Sequence, residues 1–250
     1  MNNKSLIYKG NKIVEASYQL TLKEQRVVLM AISQIKSDEA LKKNDECILS
    51  VASYAATFGI AEKSALKEIK EALDELFERR INVALDSGKK EKFRWVSKVT
   101  IDVKNNELGL RFSQDIIPFL TNLKGRFTKY QLSSVSDMKS VFSIRIYEML
   151  MQWRTTKIVE VSIEKFKERL ELVDKYPSIA NLRIKAIEPA IKEINEYSDI
   201  NVHYELIKTG KKFTGIKFTF SYKNKSTEKD VNKITNTDVV KSLKGALNNS

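Results

Sequence analysis

Ile48-Leu49-Ser50-Val51 opens a stretch that runs on to Glu75-Leu76-Phe77-Glu78-Arg79-Arg80-Ile81-Asn82-Val83. Glu160-Val161-Ser162-Ile163 opens another, which runs on to Glu193-Ile194-Asn195-Glu196-Tyr197-Ser198-Asp199-Ile200-Asn201-Val202. The two share one order: a short apolar run with a serine, a helical segment, then an apolar segment that passes into strand-like sequence. Each continues into a β-hairpin pattern. A unit stated twice on one chain predicts two tandem domains of the same design.

Helical periodicity around these stretches fills in the unit. Thr21 with Glu24 three residues later fits a capping box, and Val27, Val28, Ala31, Ile32 and Ile35 give the following helix one buried face. A second helix is expected from Ser50 to Phe58, ended by Gly59. A third, starting near Glu62, carries Leu66, Ile69, Leu73, Leu76 and Phe77 as its core stripe. Trp95 to Val103 and Leu108 to Phe112 alternate around Lys104-Asn105-Asn106-Glu107, a hairpin signature. Asp115 to Leu123, with Pro118 near its first turn, predicts a short helix, and Lys124-Gly125-Arg126 predicts the joint between halves.

The second half repeats the order. Helices are expected from Val141 to Arg154, Ile163 to Leu170 and Ser178 to Tyr197, with a strand from Ile158 to Val161. Pro189 should bend the last helix or remove one of its hydrogen bonds. A hairpin joins Ile200–Lys208 to Phe213–Tyr222 through Thr209-Gly210-Lys211-Lys212. The expected fold class is therefore α+β: two tandem winged-helix domains, each a helix-turn-helix with a β-hairpin wing, related by an internal pseudo-twofold repeat. The expected boundaries are residues 1–125, 126–222 and a disordered basic tail at 223–250, in which Val239-Val240-Lys241-Ser242-Leu243 could form a short helix on a partner.

Composition bounds what such a chain does. Its 250 residues are 42% hydrophobic, ordinary for globular domains. The longest strongly apolar run, Val27 to Ile32, is far short of the roughly 20 residues a membrane span needs. No apolar segment of the signal-peptide kind follows Met1-Asn2-Asn3-Lys4-Ser5, which predicts a cytoplasmic protein. Cys47, the single cysteine, predicts a structural thiol with no disulfide. With 44 Lys+Arg against 32 Asp+Glu the formal charge is +12, a surface that attracts polyanions, nucleic acid first among them.

Catalysis finds little to stand on. One histidine, His203, excludes a paired-histidine metal site of a DNA-nicking enzyme, and no phosphate-cradling glycine loop or nucleophile elbow occurs. No enzyme activity, metal or cofactor is expected. The candidate residues are instead the outward positions of the third helix of each unit, the one able to lie in a major groove. On the first these are Lys63, Ser64, Lys67 and Lys70, beside Glu71. On the second they are Asn181, Arg183, Lys185 and Lys192, beside Glu188. Lys208, Lys211 and Lys212 bracket the wing turn, where phosphate contact is expected.

Three segments in order resemble one family. They are Asn11-Lys12-Ile13-Val14-Glu15-Ala16-Ser17-Tyr18-Gln19-Leu20-Thr21-Leu22-Lys23-Glu24-Gln25-Arg26, Phe142-Ser143-Ile144-Arg145-Ile146-Tyr147-Glu148-Met149-Leu150, and Ile187-Glu188-Pro189-Ala190-Ile191-Lys192-Glu193-Ile194-Asn195. The chain from about residue 8 to 222 resembles the iteron-binding plasmid replication initiators, often called Rep_3 or RepB-type initiators. The resemblance implies two winged-helix domains that bind repeated sequences (iterons) in double-stranded plasmid origin DNA as a monomer. It further implies a DNA-free homodimer, joined mainly through the first domain, that represses its own promoter. Bound monomers would help open the origin and recruit the host initiator ATPase and replicative helicase in a bacterial cytoplasm, with no membrane partner. The dominant base-reading helix would fall around Asn181 to Lys192, where Arg183 and Lys185 only partly keep the family's basic pair. Two other readings are a tandem winged-helix transcriptional repressor without a replication role, and a basic scaffold whose lysines face an acidic protein.

Overall fold

Ser50 and Ser162, the serines that open the two repeated stretches, each cap a helix. Ser50 Oγ accepts from the Ser53 amide and Ser162 Oγ from the Lys165 amide, both at 3.2 Å. A serine oxygen satisfies one of the backbone donors that a helix start leaves open, so the same residue sets the same boundary twice.

The computed structural model describes residues 5–36, 39, 41–42, 44–104, 107–123 and 125–223. The first half forms β1 (Leu6–Gly10), α1 (Asn11–Glu15), β2 (Ser17–Tyr18), α2 (Leu22–Ile32), β3 (Cys47–Ile48), α3 (Val51–Phe58) and α4 (Glu62–Leu76). It continues with β4 (Arg80–Ala84), β5 (Lys90–Arg94), β6 (Val96–Asp102) and β7 (Glu107–Phe112). The second half forms β8 (Phe127–Gln131), α5 (Val141–Met151), β9 (Ile158–Ser162), α6 (Ile163–Arg169), α7 (Ile179–Leu182), a π-helical turn (Arg183–Ile187) and α8 (Glu188–Tyr197). A hairpin of β10 (Ile200–Thr209) and β11 (Lys212–Tyr222) closes it.

The repeat is visible in the sheets. In the first unit the strand order is β3-β7-β6, and in the second β9-β11-β10. Each time the strand before the capped helix pairs with the returning strand of the wing. Both units are winged helices, as the helix and hairpin pattern predicts. The Thr21–Glu24 capping box is formed, with Thr21 N donating to Glu24 Oε2 at 2.6 Å, and Gly59 ends α3 at φ 63°, where a side chain would be strained.

The structure departs from the sequence reading in several places. Glu75 to Val83 does not run into the wing: it leads into β4, which pairs with β5 and β2 in a sheet of its own. The wing, β6–β7, follows 12 residues later than β4 leaves off. Asp115 to Leu123 yields only a single 3-10 turn, Ile117–Phe119, because Pro118 can start a turn but too few residues follow to propagate an α-helix. Phe77, placed in the core stripe, is 36% exposed and lies under the Arg94 guanidinium, 5.0 Å from its ring centroid. The turn residues Asn105 and Asn106, Lys124 of the joint, Met1 to Lys4 and the tail from residue 224 onward lie outside the described residues.

α5 holds the halves together. Lys9 on β1 and Glu148 on α5 are both fully buried and meet at 2.5 Å, and the Tyr130 hydroxyl on β8 donates to the same carboxylate oxygen at 2.5 Å. Three residues earlier, Arg145 donates to the Ala16 and Arg169 carbonyls at 2.8 and 2.9 Å and lies over the Tyr18 ring at 3.6 Å. β1 itself pairs antiparallel with β8, across the segment around Gly125. Removing one partner of a buried pair strands the other charge, whereas replacing both by apolar groups is often nearly neutral. Lys9→Met should therefore cost about 3–5 kcal/mol, and adding Glu148→Leu should recover most of it. Urea unfolding midpoints test this; a double variant no more stable than Lys9→Met would refute it.

Candidate nucleic-acid interface

α4 is a helix because its apolar residues recur on one side: Ala65, Ile69, Ala72, Leu73 and Leu76 are all buried. Its opposite flank presents Lys63, Ser64 and Lys67 to solvent, with Lys70 half-buried. The acidic residues between them are engaged. Glu68 takes Arg26 at 3.3 Å and the Tyr54 hydroxyl at 3.2 Å. Glu71, expected to point outward, meets Lys23 of α2 at 2.5 Å and Lys67 at 3.8 Å. Its position one turn after Lys67 brings it over α2, and the hydrogen bond from Lys23 holds its carboxyl below the usual carboxylate range. α4 is thus laced to α2 by ion pairs, and Lys67 faces a carboxylate.

The first wing is similarly neutralised at its base. Lys98 of β6 meets Glu46 at 2.8 Å, Arg111 of β7 lies 3.9 Å from the same carboxylate, and the Thr100 hydroxyl donates to it. The hydrogen bond from Lys98, then that from Thr100, lowers the Glu46 pKa. Cys47 beside it is buried and its thiol is pushed up to about 11 by burial, with Asp45 and Glu46 adding to the effect, which fits a packed structural thiol.

The second unit's third helix is built differently. Leu182, Ala186, Ile187, Ala190 and Ile194 make the buried stripe that periodicity predicts. Ser178 caps it through the Asn181 amide at 3.2 Å. Pro189 has no N–H, so an ordinary α-helix would lose the bond to the carbonyl four residues back. The chain widens instead: Arg183–Ile187 is a π turn, and the Glu188 amide reaches the Arg183 carbonyl five residues back. Asn181, Arg183, Lys185 and Lys192 are exposed around this turn, as is Ile184 at 50%. Lys185 and Lys192 have no ion-pair partner among the described residues.

Glu188 organises that face. Its Oε1 pairs with Arg183 Nε at 3.1 Å and accepts from the Tyr204 hydroxyl at 3.1 Å, tying the helix to β10. The Tyr204 phenol is pushed up to about 12, first by burial and then by the bond to Glu188, with Arg183 opposing. The wing tip carries Lys208, Lys211 and Lys212, all exposed. Gly210 turns the chain at φ 61°, the sign a tight two-residue hairpin turn needs. Lys208 stands 4.7 Å over the Phe213 ring. The sequence reading names the exposed cations of this helix and wing tip, and the structure sets Tyr204, Phe213 and Ile184, which that reading does not name as candidates, among them. Ile184 could have been found from its place between Arg183 and Lys185.

What else the surface offers is limited. Among the described residues no group of three or more His, Cys, Asp or Glu could hold a metal ion, and no helix is long and apolar enough to cross a membrane. His203 is an exposed strand residue opposite Thr219. Two clefts, of about 280 and 240 Å³, lie where the units meet, the first beside Tyr18, Phe142 and Arg145, the second beside Lys12, Lys90 and Arg169.

Residues 6–151 match the family described as initiator replication protein, WH1, and residues 162–220 the one described as initiator Rep protein, WH2. A replication initiation protein of Escherichia coli is 27% identical over 79% of this chain, which spans 64% of that relative's length. The PI protein of Escherichia coli is 22% identical over 88% of the chain and 84% of its own. The crystal structure of the Pi initiator protein in complex with iteron DNA shares the fold, with a TM-score of 0.79, 22% identity, and coverage of 90% of this chain and 100% of that one.

The folded state holds the Tyr204 proton more tightly than an unfolded chain would. Its share of stability is therefore intact below the ordinary phenol range and is lost as pH rises toward about 12. Glu188→Gln should move the Tyr204 titration downward, though not to the ordinary value, because burial is the larger cause. Tyrosine-labelled NMR titration reads this directly; an unmoved midpoint would mean that Glu188 does not hold the phenol.

Proposed function

This chain belongs to the initiator replication protein family, and from that we propose that it initiates plasmid replication by binding iterons in double-stranded origin DNA. The observation that carries the reading is the match of both winged-helix domains in order, joined to a second-unit helix and wing whose cations Lys185, Lys192, Lys211 and Lys212 face solvent without ion-pair partners among the described residues.

In this reading residues 1–125 form the first domain, contributing DNA contact through Lys63, Ser64, Lys67 and Lys70 and the surface for a DNA-free homodimer. Residues 126–222 form the main origin-reading domain. Asn181, Arg183 and Lys185 enter the major groove, where Asn matches adenine and Arg or Lys matches guanine, while Lys192 with Lys208, Lys211 and Lys212 hold flanking phosphates. The electrostatics bears on the division: Lys67 and Lys98 already face Glu71 and Glu46 and Arg183 faces Glu188, so a phosphate there competes with a carboxylate, whereas Lys185, Lys192, Lys211 and Lys212 have no such competitor among the described residues. Origin opening, recruitment of the host initiator ATPase and helicase, autorepression and action in the bacterial cytoplasm follow from the same reading. The protein acts by binding rather than by turnover.

If about eight phosphates are neutralised, log affinity should fall against log salt with a slope of roughly −7. Gel shifts on the repeats upstream of the protein's own reading frame, with random duplex as competitor, should give one step per repeat. Equal binding to both DNAs would defeat the reading. Lys185→Ala should cost about 1–3 kcal/mol and relax preference at one base pair, whereas Lys211→Ala should weaken all duplexes evenly. Identical losses on cognate and random DNA for both variants would defeat the residue assignment.

A further inference from the structure

Ile184 is an isoleucine side chain 50% exposed in the middle of the second unit's third helix. Leu182 and Ala186, two residues to either side, are each 1% exposed and point into the core. At about 100° per residue, Ile184 therefore projects away from Leu182 and Ala186, on the outward side of the helix between Arg183 and Lys185. The residues around it are polar and exposed: Asn181 one turn before, Arg183 and Lys185 beside it, and Glu188 one turn after. It also sits inside the π turn, a local widening of a kind that recurs at functional sites.

A lone apolar side chain ringed by an amide, Lys185 and the Arg183–Glu188 ion pair is poorly placed to dock an apolar protein surface, which would bury Lys185 without a partner. It is well placed for a major groove. There the ring meets phosphates and base-edge acceptors, and the one apolar group on the groove floor is the thymine C5-methyl. We propose that Ile184 is a specificity-determining residue that reads a thymine methyl group in the part of the repeat that this helix contacts. The assignment deepens the origin-binding reading and rests on it.

The test uses the full chain and a duplex carrying one upstream repeat, with each thymine replaced in turn by deoxyuridine. Uracil keeps every hydrogen-bonding atom and removes only the methyl. Losing one buried methyl contact should weaken wild-type binding about fourfold at one or two thymines. In Ile184→Ala those penalties should vanish while binding elsewhere in the repeat responds as before, and Ile184→Val should restore part of them. Because the side chain is exposed, thermal melting of both variants should match the wild type. Uridine penalties that are absent in the wild type, or that persist unchanged in Ile184→Ala, overturn the assignment while leaving origin binding standing. A wild-type protein that does not prefer the repeat to random duplex overturns both.

Discussion

Lys9 and Glu148 are sealed from solvent on both sides of their 2.5 Å contact, and much of the architecture is arranged around that requirement. A buried charge without its partner costs several kcal/mol, so every segment that carries one must arrive in register. Lys9 lies on β1 opposite Thr128 of β8, with Tyr130 two residues further along that strand. A one-residue slip of β1 would turn Lys9 to the other face of the pair and leave Glu148 with the Tyr130 hydroxyl alone. The ion pair thus fixes how the start of the chain meets the strand after Gly125, and how both meet α5. Arg145, one turn earlier on α5, extends the constraint to the Ala16 and Arg169 carbonyls. One helix therefore references both winged units, and the outer contacts between them are looser: Arg169, partly buried, lies 3.9 Å from Glu15, and Lys90 meets Glu168 at 4.0 Å in solvent.

With that frame set, the two copies of the winged unit are free to differ on their outer faces. In the first, acidic residues on α4 and before β3 are drawn to nearby cations, so Glu68, Glu71 and Glu46 each hold a partner. Those pairs fasten α4 to α2 and the wing to its base. In the second, the corresponding fastening is Asn195 to the Val202 backbone, at 2.6 and 3.0 Å, and Glu188 to Tyr204. Arg183 pairs with Glu188 and Lys217 with Glu160, but Lys185, Lys192, Lys211 and Lys212 keep no ion-pair partner among the described residues. The first copy's helix is fastened by charge to the helix beside it, and the second copy's mainly by hydrogen bonds to its own wing, so their surfaces differ in what they can attract.

Much of this was legible in the sequence where local physics decides the outcome. Thr21 with Glu24, Ser50, Ser162 and Gly59 set helix ends through bonds within three or four residues, and those ends fall where the residues place them. The core stripe of the second unit's third helix held at every position named. What escaped depends on distant partners. β1 and β8 are short and pair with each other across most of the first half of the chain, with Lys9 and Tyr130 converging on Glu148; nothing in either segment alone marks it as a strand. The β4–β5 hairpin hides because Arg80 to Val83 resembles the start of the second wing, while its turn at Gly88, φ 81°, is the overlooked punctuation. Glu71 was read as outward because a helix wheel shows which residues leave the core, not which neighbouring helix stands beside them.

Pro189 shows how a locally unfavourable residue is absorbed without breaking an element. Regular α-helical bonding through Pro189 would lose one hydrogen bond and crowd the Lys185 carbonyl. A full break would separate Leu182 and Ala186 from Ala190 and Ile194 and open the core stripe they share. The π turn cannot restore the bond that Pro189 has no N–H to make, but it prevents the break: Glu188 bonds back to Arg183, the buried residues stay aligned, and the distortion falls between Arg183 and Ile187. Glu188 then serves twice, its backbone closing the turn and its side chain gripping Arg183 and Tyr204. The segment that carries the candidate reading residues is therefore also the least regular part of its helix, held in shape by a carboxylate that itself lies on the exposed face. A ligand arriving at that face meets an Arg183 already held by Glu188.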